Sequence, residues 1–392
     1  MPVGRENISL SIETWFDNCP DRSNRPGLKW GKYAGQDVIP LWVADMDFRA
    51  PPAVVEAARE EAEFGNYGYA KAHPGLVDAV VGHCQSIYGW KIDPNWLVWL
   101  PGMVCALNVC CRMQQSLAKQ ALTHTPIYPP FLSAPGNFDL RCTQLPLRLE
   151  NGRFTMDFDL LESTPTQPGD LFMLCHPHNP VGTAFHRQEL ERFTKWARER
   201  ELIICSDEIH CDLLLEPGLQ HIPLGNLNAE TAENTITLMA PSKTYNLPGF
   251  GCSFAIISNP DLRIRFKKAM AGIVPDPAVM GFRLAEVAYR EGEQWRQSLL
   301  EYLRNNRELA MERLQKIPGL LPYSPVATYL LWIDARKLPV DHPQRFLEKH
   351  GVGLSDGSDF GAPGFLRLNL GCSTSLLEKA LDRIDRACAS LA

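Results

Sequence analysis

The sequence predicts an α/β fold: a mostly parallel sheet covered by helices, followed by a smaller αβ unit. Three observations predict it. Short apolar runs without polar alternation recur through the middle of the chain, as strands buried on both faces do. Helical patterns separate these runs, so neighbouring strands are joined by crossovers. After Pro277 the composition shifts to a long amphipathic stretch and then to further strand-like runs. With 392 residues, 45% of them apolar, the chain can bury a large core and form two or three domains.

In order along the chain, residues 1–50 are rich in Pro, Gly and Trp and read as an irregular arm that packs with the C-terminal unit. Pro51-Pro52 ends the arm, and a helix is predicted over 53–63, just after those prolines. A second helix is predicted over about 75–88. These helices open a large domain, 51–280. Its strand-like runs are 96–100, 142–147, Leu171–Cys175, 202–205, Thr235–Met239 and 252–257, with helices near 104–118 and 188–199. The last two runs, joined by a short loop around Lys243, are the expected exception to parallel order. A small domain, 281–392, begins with an amphipathic stretch to about 316 and carries strand-like runs at 329–333 and 365–370.

Composition narrows the function classes. A formal charge of −6 argues against a dedicated nucleic-acid surface, which is basic and clustered. The one basic patch, Arg263, Arg265, Lys267 and Lys268, alternates with apolar residues and reads as the solvated face of a helix. Residues 1–10 lack the apolar run of a signal peptide, and no stretch of about 18 apolar residues predicts a membrane span. A cytoplasmic protein is expected. The 12 cysteines are scattered without a CxxC pair and read as reduced, mostly buried thiols. Cys175, His176 and His178 have no second ligand cluster at suitable spacing, so no metal site is expected.

In an open parallel sheet ligands bind beyond the carboxyl ends of the strands. Pro101-Gly102-Met103-Val104 follows the first run and opens a helix, whose free N–H groups suit a phosphate; many helices start this way for structural reasons alone. Asn179 sits in a prolyl turn after Leu171–Cys175, where it is equally a turn residue or a hydrogen-bonding group for a ligand. Asp207 ends the next run, and a carboxylate there is costly without a cation or donor. Lys243 follows Thr235–Met239. A lysine between two strands is ordinarily a surface residue, but a lysine in a dry site has a lowered pKa and can form an imine with an aldehyde. Four weak signals on one sheet edge reinforce one another.

Asn-Pro-Val-Gly, then Asp-Glu-Ile-His, then Ser-Lys, then Arg-Leu-Asn occur in the order found in fold-type I pyridoxal-phosphate enzymes, the aspartate aminotransferase superfamily, and the chain resembles them from about Lys29 to Ile384. It is most similar to the MalY/PatB group of cystathionine β-lyases. That closer resemblance rests on Trp42-Val43-Ala44-Asp45-Met46-Asp47-Phe48, Tyr128-Pro129-Pro130-Phe131, Asp207-Glu208-Ile209-His210 and Ser242-Lys243-Thr244-Tyr245-Asn246-Leu247.

The resemblance implies pyridoxal 5′-phosphate as a Schiff base on Lys243, which later moves the substrate's Cα proton. It implies that Asp207 holds the pyridine nitrogen protonated, Asn179 bonds the phenolic oxygen with His210 close by, and Tyr128 stacks on the ring. The N–H groups of Met103 and Val104, with Ser242, would receive the phosphate. Tyr69 would reach the neighbouring subunit's phosphate in a homodimer with shared active sites. Arg367 would grip the substrate α-carboxylate, with the backbone around Ala44 completing that site. Two positions depart from the superfamily pattern: Gly251 stands where many members have an arginine, and Ala240 where many have a serine.

The activity so implied is α,β-elimination from cystathionine or cysteine-type substrates, giving pyruvate, ammonia and a thiol. The alternatives are an aminotransferase, because the same carbanion can be reprotonated elsewhere, and a dimeric regulatory binding protein with secondary lyase activity. Substrate preference is expected to lie in the arm and in a loop near 354–360.

Overall fold

The computed structural model describes residues 12–25 and 27–391, so the reading of residues 1–10 falls outside the described residues. A seven-stranded sheet forms the larger part of the molecule. Its strands are β1 (Leu97–Leu100), β2 (Gln120–Thr125), β3 (Arg141–Pro146), β4 (Leu171–Cys175), β5 (Ile203–Asp207), β6 (Thr235–Met239) and β7 (Ser253–Ile256). They lie in the order β1-β7-β6-β5-β4-β2-β3. Pairings from β6 across to β3 are parallel, whereas β7 runs antiparallel to both β6 and β1. The expected exception is therefore β7, which returns after the Lys243 loop.

Apolar runs that do not alternate find their reason in two cores. Along β4, Leu171, Met173 and Cys175 join one cluster while Phe172 and Leu174 join another. The first cluster is closed by α3 (Met103–Gln114) and α5 (Pro260–Met270), the second by α4 (Arg187–Glu199). Ahead of them, α1 (Pro52–Phe64) and α2 (Pro74–Tyr88) each begin on a proline and end on a glycine in the left-handed region, Gly65 (φ 69°) and Gly89 (φ 63°). In α5, Leu262, Phe266 and Ala269 face inward while Lys267 and Lys268 are exposed, and Arg265 bonds Gln114.

One strand escapes the sequence reading. β2 carries Gln120, Thr123, His124 and Thr125 yet is buried throughout, between β4 and β3. Two of its polar side chains are paired internally: Gln120 Nε2 donates to Asp170 Oδ2 (2.9 Å), and Thr123 Oγ1 donates to Met173 O (2.9 Å). Apolarity alone does not reveal a strand whose polar side chains are satisfied by its neighbours.

The amphipathic stretch over 281–316 is two helices, α6 (Val279–Glu291) and α7 (Glu293–Leu314). They break at Gly292, where a Cβ would lie 2.4 Å from Ala288 O and 2.5 Å from the Tyr245 ring. α6 packs on α1 and α2. A four-stranded antiparallel sheet follows, with β8 (Leu321–Tyr323), β9 (Leu330–Asp334), β10 (Ser355–Asp356) and β11 (Phe365–Asn369) in the order β8-β9-β11-β10. α7 and the final helix, α8 (Thr374–Ala389), share its core. The segment expected as a loop near 354–360 is β10 plus a 3₁₀ turn, Gly357–Phe360. Within the arm, Ile12–Asp17 and Leu28–Gly31 are short helices, and Ile39–Pro40 pairs in parallel with Val352–Gly353.

Candidate active site

Because β1, β4, β5 and β6 run parallel, their carboxyl ends share one edge, and a cavity of about 300 Å³ opens there. It is lined by Met103 and Val104 after β1, Asn179 after β4, Asp207 and His210 at the end of β5, and Ser242 and Lys243 after β6. Tyr128, Ala44 and Arg367 complete the wall. Of the site residues named from sequence, only Tyr69 lies elsewhere: it is fully exposed, in the extended segment between α1 and α2.

The charged groups of this cavity are held in an unusual balance. Lys243 is half-buried, and desolvation first, then the nearby Arg367 charge, lowers its pKa to about 8. Its Nζ donates to Ala44 O at 2.5 Å. Asp207 is pushed up to about 7, chiefly by burial, against the lowering effect of its one hydrogen bond, from Ile209 N (3.1 Å). His210 is lowered to about 3 by burial and by the Lys243 and Arg367 charges, and its Nδ1 has no partner among the described residues. Arg367 is lowered to about 10 by burial. Its guanidinium donates to Asn179 Oδ1 (3.0 Å), Trp42 O (2.8 Å) and Ser355 Oγ (3.2 Å) and lies over the Phe360 ring, and its Nε has no partner among the described residues.

Residues 42–48 form a strap across the cavity, with no regular secondary structure. Five successive carbonyls of this strap accept side-chain hydrogen bonds from distant parts of the chain. Trp42 O receives Arg367 and Ser355; Val43 O receives Asn369 Nδ2 (2.7 Å); Ala44 O receives Lys243 and Tyr329 (2.9 Å). Asp45 O receives Asn369 (2.7 Å) and Lys29 (3.1 Å), and Met46 O receives Asn246 (3.0 Å) and Arg22 (3.2 Å). Asn246 manages this from the left-handed region (φ 56°), which asparagine tolerates better than most side chains. The strap's carboxylates are anchored as well: Asp47 takes the fully buried Lys29 (2.9 Å) and Arg22 (2.8 Å).

These side chains leave open the valences that pyridoxal phosphate needs. An amine has a carbonyl as its direct partner, and a buried carboxylate has one donor and no cation within ion-pair distance among the described residues. Among the described residues, a buried guanidinium has no carboxylate within ion-pair distance. The N-terminus of α3 opens on the cavity at Gly102, with no acidic residue in its first turn. An aldehyde, a pyridine nitrogen, a substrate carboxylate and a phosphate would answer these four groups in turn. Gly251, in place of the usual arginine, adopts φ 52° with its Cβ position 2.7 Å from Pro101 O, so no side chain fits there.

The sequence reading assigned no part to Tyr329, Ser355, Asn246 or Asn369, all of which brace the cavity. Asn246 and Asn369 stood in quoted motifs, a usable signal; Tyr329 and Ser355 carry none, since their partners are backbone atoms about 285 and 313 residues away. His73, after the exposed tyrosine segment, pairs with Glu286 on α6 (3.0 Å) and occupies the N-cap position of α2 without a side-chain capping bond.

Residues 36–384 match the family model described as aminotransferase class I and II. The chain is 33% identical to cystathionine beta-lyase PatB of Bacillus subtilis, over 95% of this chain and 99% of that protein. Among solved structures it is similar to that of OvoB, with 44% identity and a TM-score of 0.93 over 96% of this chain and 99% of that one. It is also similar to cystalysin from Treponema denticola, which contains a pyridoxal 5′-phosphate cofactor, with 30% identity and a TM-score of 0.91 over 96% and 99% of the two chains.

Proposed function

The chain belongs to the aminotransferase class I and II family, and from that premise we propose that it is a pyridoxal-phosphate-dependent carbon–sulfur β-lyase. The substrates are cystathionine or cysteine-type amino acids, and the products are pyruvate, ammonia and a thiol. One observation carries this reading: a half-buried amine, a buried carboxylate and a buried guanidinium, all incompletely paired among the described residues, face a single cavity.

When bound, pyridoxal phosphate supplies an aldehyde for the substrate amine and a ring that takes up the electron pair left at Cα. In this reading Arg367 binds the α-carboxylate with its planar fork and so fixes the direction of the Cα–H bond. Lys243, near neutrality in its own pKa, accepts that proton on Nζ. The electron pair left at Cα forms the Cα–Cβ double bond as the Cβ–S bond breaks, and sulfur leaves with the bonding pair as thiolate. What remains hydrolyses to pyruvate and ammonia. Asp207 keeps a proton on the ring nitrogen, Asn179 donates to the phenolic oxygen beside His210, and Tyr128 covers the ring face. Met103 N, Val104 N and Ser242 hold the phosphate.

Residues 51–280 then hold the cofactor, while 281–392 and the arm, 1–50, hold the substrate carboxylate. The functional unit we propose is a homodimer: exposed Tyr69 would reach the partner's phosphate, and Phe64, Tyr67 and Val104 expose further apolar surface. No described helix is long and apolar enough to cross a membrane, which agrees with the cytoplasmic location proposed here. Pyruvate and thiol released from cystathionine without a keto-acid acceptor test the lyase reading; strict dependence on an acceptor would replace it with transamination. Lys243→Ala is expected to lose the absorbance of the cofactor joined to the lysine and at least about 10³-fold in turnover.

A further inference from the structure

Ala44 O carries two donors, Lys243 Nζ at 2.5 Å and Tyr329 Oη at 2.9 Å, which fill both of its lone pairs. Tyr329 is 1% exposed, and its hydroxyl has no other hydrogen bond among the described residues. The residue itself cannot wander. Its carbonyl accepts from Leu370 N (2.8 Å), and Thr328 N before it donates to Leu213 O (2.7 Å). Its ring stands edge-on to His210, 6.0 Å between centroids. By contrast, the carbonyl it touches belongs to the irregular strap, whose aim depends on the groups bonded to it.

We infer that Tyr329 is a positioning residue for Lys243: through the Ala44 carbonyl it fixes the place where the free amine rests. The inference depends on the proposed reading of Lys243 as the group that joins the cofactor and moves the Cα proton. A carbonyl only accepts, so the amine must turn one N–H toward Ala44 O. Its remaining valences then face the cavity, where a neutral amine presents its lone pair. Because Tyr329 occupies the second lone pair, the oxygen pulls less strongly on a charged ammonium than a singly bonded oxygen would. The other charged and titratable groups around the amine are Arg367 from β11, Asp207 and His210 from the end of β5, and Asp45 of the strap.

The test is Tyr329→Phe, which removes one oxygen and keeps the ring. Cofactor-free protein is mixed with pyridoxal phosphate from pH 6 to 10, and the rate at which the cofactor joins Lys243 is read by absorbance. The midpoint of that rate profile is expected to rise by about half a unit to one unit, the size of one ordinary net hydrogen bond. For β-elimination, kcat is expected to fall by about tenfold with KM within about twofold, because the amine, not the substrate, is displaced. An unmoved midpoint and unmoved kcat, with only the melting temperature lowered, would overturn the inference and leave Tyr329 a packing residue. The lyase reading fails separately: wild-type protein would then take up cofactor with its normal profile and release no pyruvate.

Discussion

Asp207 and Glu208 are adjacent, buried and alike in charge, yet they are built to opposite ends. Burial pushes both carboxyls up to about 7. Glu208 is surrounded by donors: Ser206 Oγ (2.7 Å), Leu224 N (2.9 Å) and His221 Nε2 (2.6 Å), the last on a ring packed against His176. Asp207 has Ile209 N and otherwise faces the cavity. A shifted pKa therefore does not separate the two; the number of unfilled acceptor positions does. One carboxylate is finished as a structural element, and the other keeps open acceptor positions toward the cavity.

The largest expected effect breaks this contrast directly. Asp207→Asn is expected to lower kcat/KM by about 10²–10³-fold, as loss of a single electrostatic stabiliser does, while the melting temperature of the cofactor-free protein does not fall. Glu208→Ala is expected to do the reverse. It leaves His221, Ser206 and Leu224 N without their partner, lowering stability by about 3 kcal/mol in urea titration with kcat changed only a few-fold. If the two variants lost activity and stability alike, the distinction between a filled and an unfilled carboxylate would be empty.

A somewhat smaller effect tests the guanidinium on the same principle. Arg367→Lys keeps the charge but loses the planar fork that now spans Asn179, Trp42 and Ser355. Steady-state kinetics are expected to give a KM about ten- to a hundredfold higher for the amino-acid substrate, with a smaller change in kcat.

The smallest effect is in stability against pH. Burial holds His124 and His176 near 3, and His178 near 4, and His210 is held near 3 by burial and its cationic neighbours. Below about 6.5 the unfolded chain takes up protons that these rings refuse when folded, so their contribution is complete above 6.5 and is lost as pH falls. Asp207 works the other way, because the folded chain keeps a proton that the unfolded chain gives up above about 4. Glu208 and His221 hold one proton between them in either state near pH 5.5 and drop out. Four imidazoles outweigh one carboxyl, so the urea midpoint of cofactor-free protein is expected to be lower at pH 5.5 than at pH 7.5. A midpoint independent of pH would mean that the rings are protonated where they lie.

How much of this was legible beforehand depends on what each group bonds to. Leu171–Cys175 and Thr235–Met239 declare themselves as strands because both faces meet apolar side chains. β2 does not, because Gln120 and Thr123 are satisfied by groups brought near only by the finished sheet. In the cavity, Lys243, Asp207, Asn179 and the Gly102 turn follow strand ends, a position visible in one dimension. Tyr329 and Ser355 bond main-chain oxygens of the strap, and a carbonyl has no letter in the sequence. The break at Gly292 was hidden for a related reason: the contact with Tyr245 exists only after two distant segments meet.

The strap is recognised through its peptide oxygens, from Trp42 to Met46, and those oxygens do not depend on which side chains sit beside them. Val43 and the buried Ala44, which form part of the cavity wall, can therefore be re-lettered within the room their neighbours leave while the scaffold beneath them keeps its grip. Selection acting on this chain could remodel the shape offered to a new thiol at those two positions without first having to rebuild the support that holds Lys243 in place.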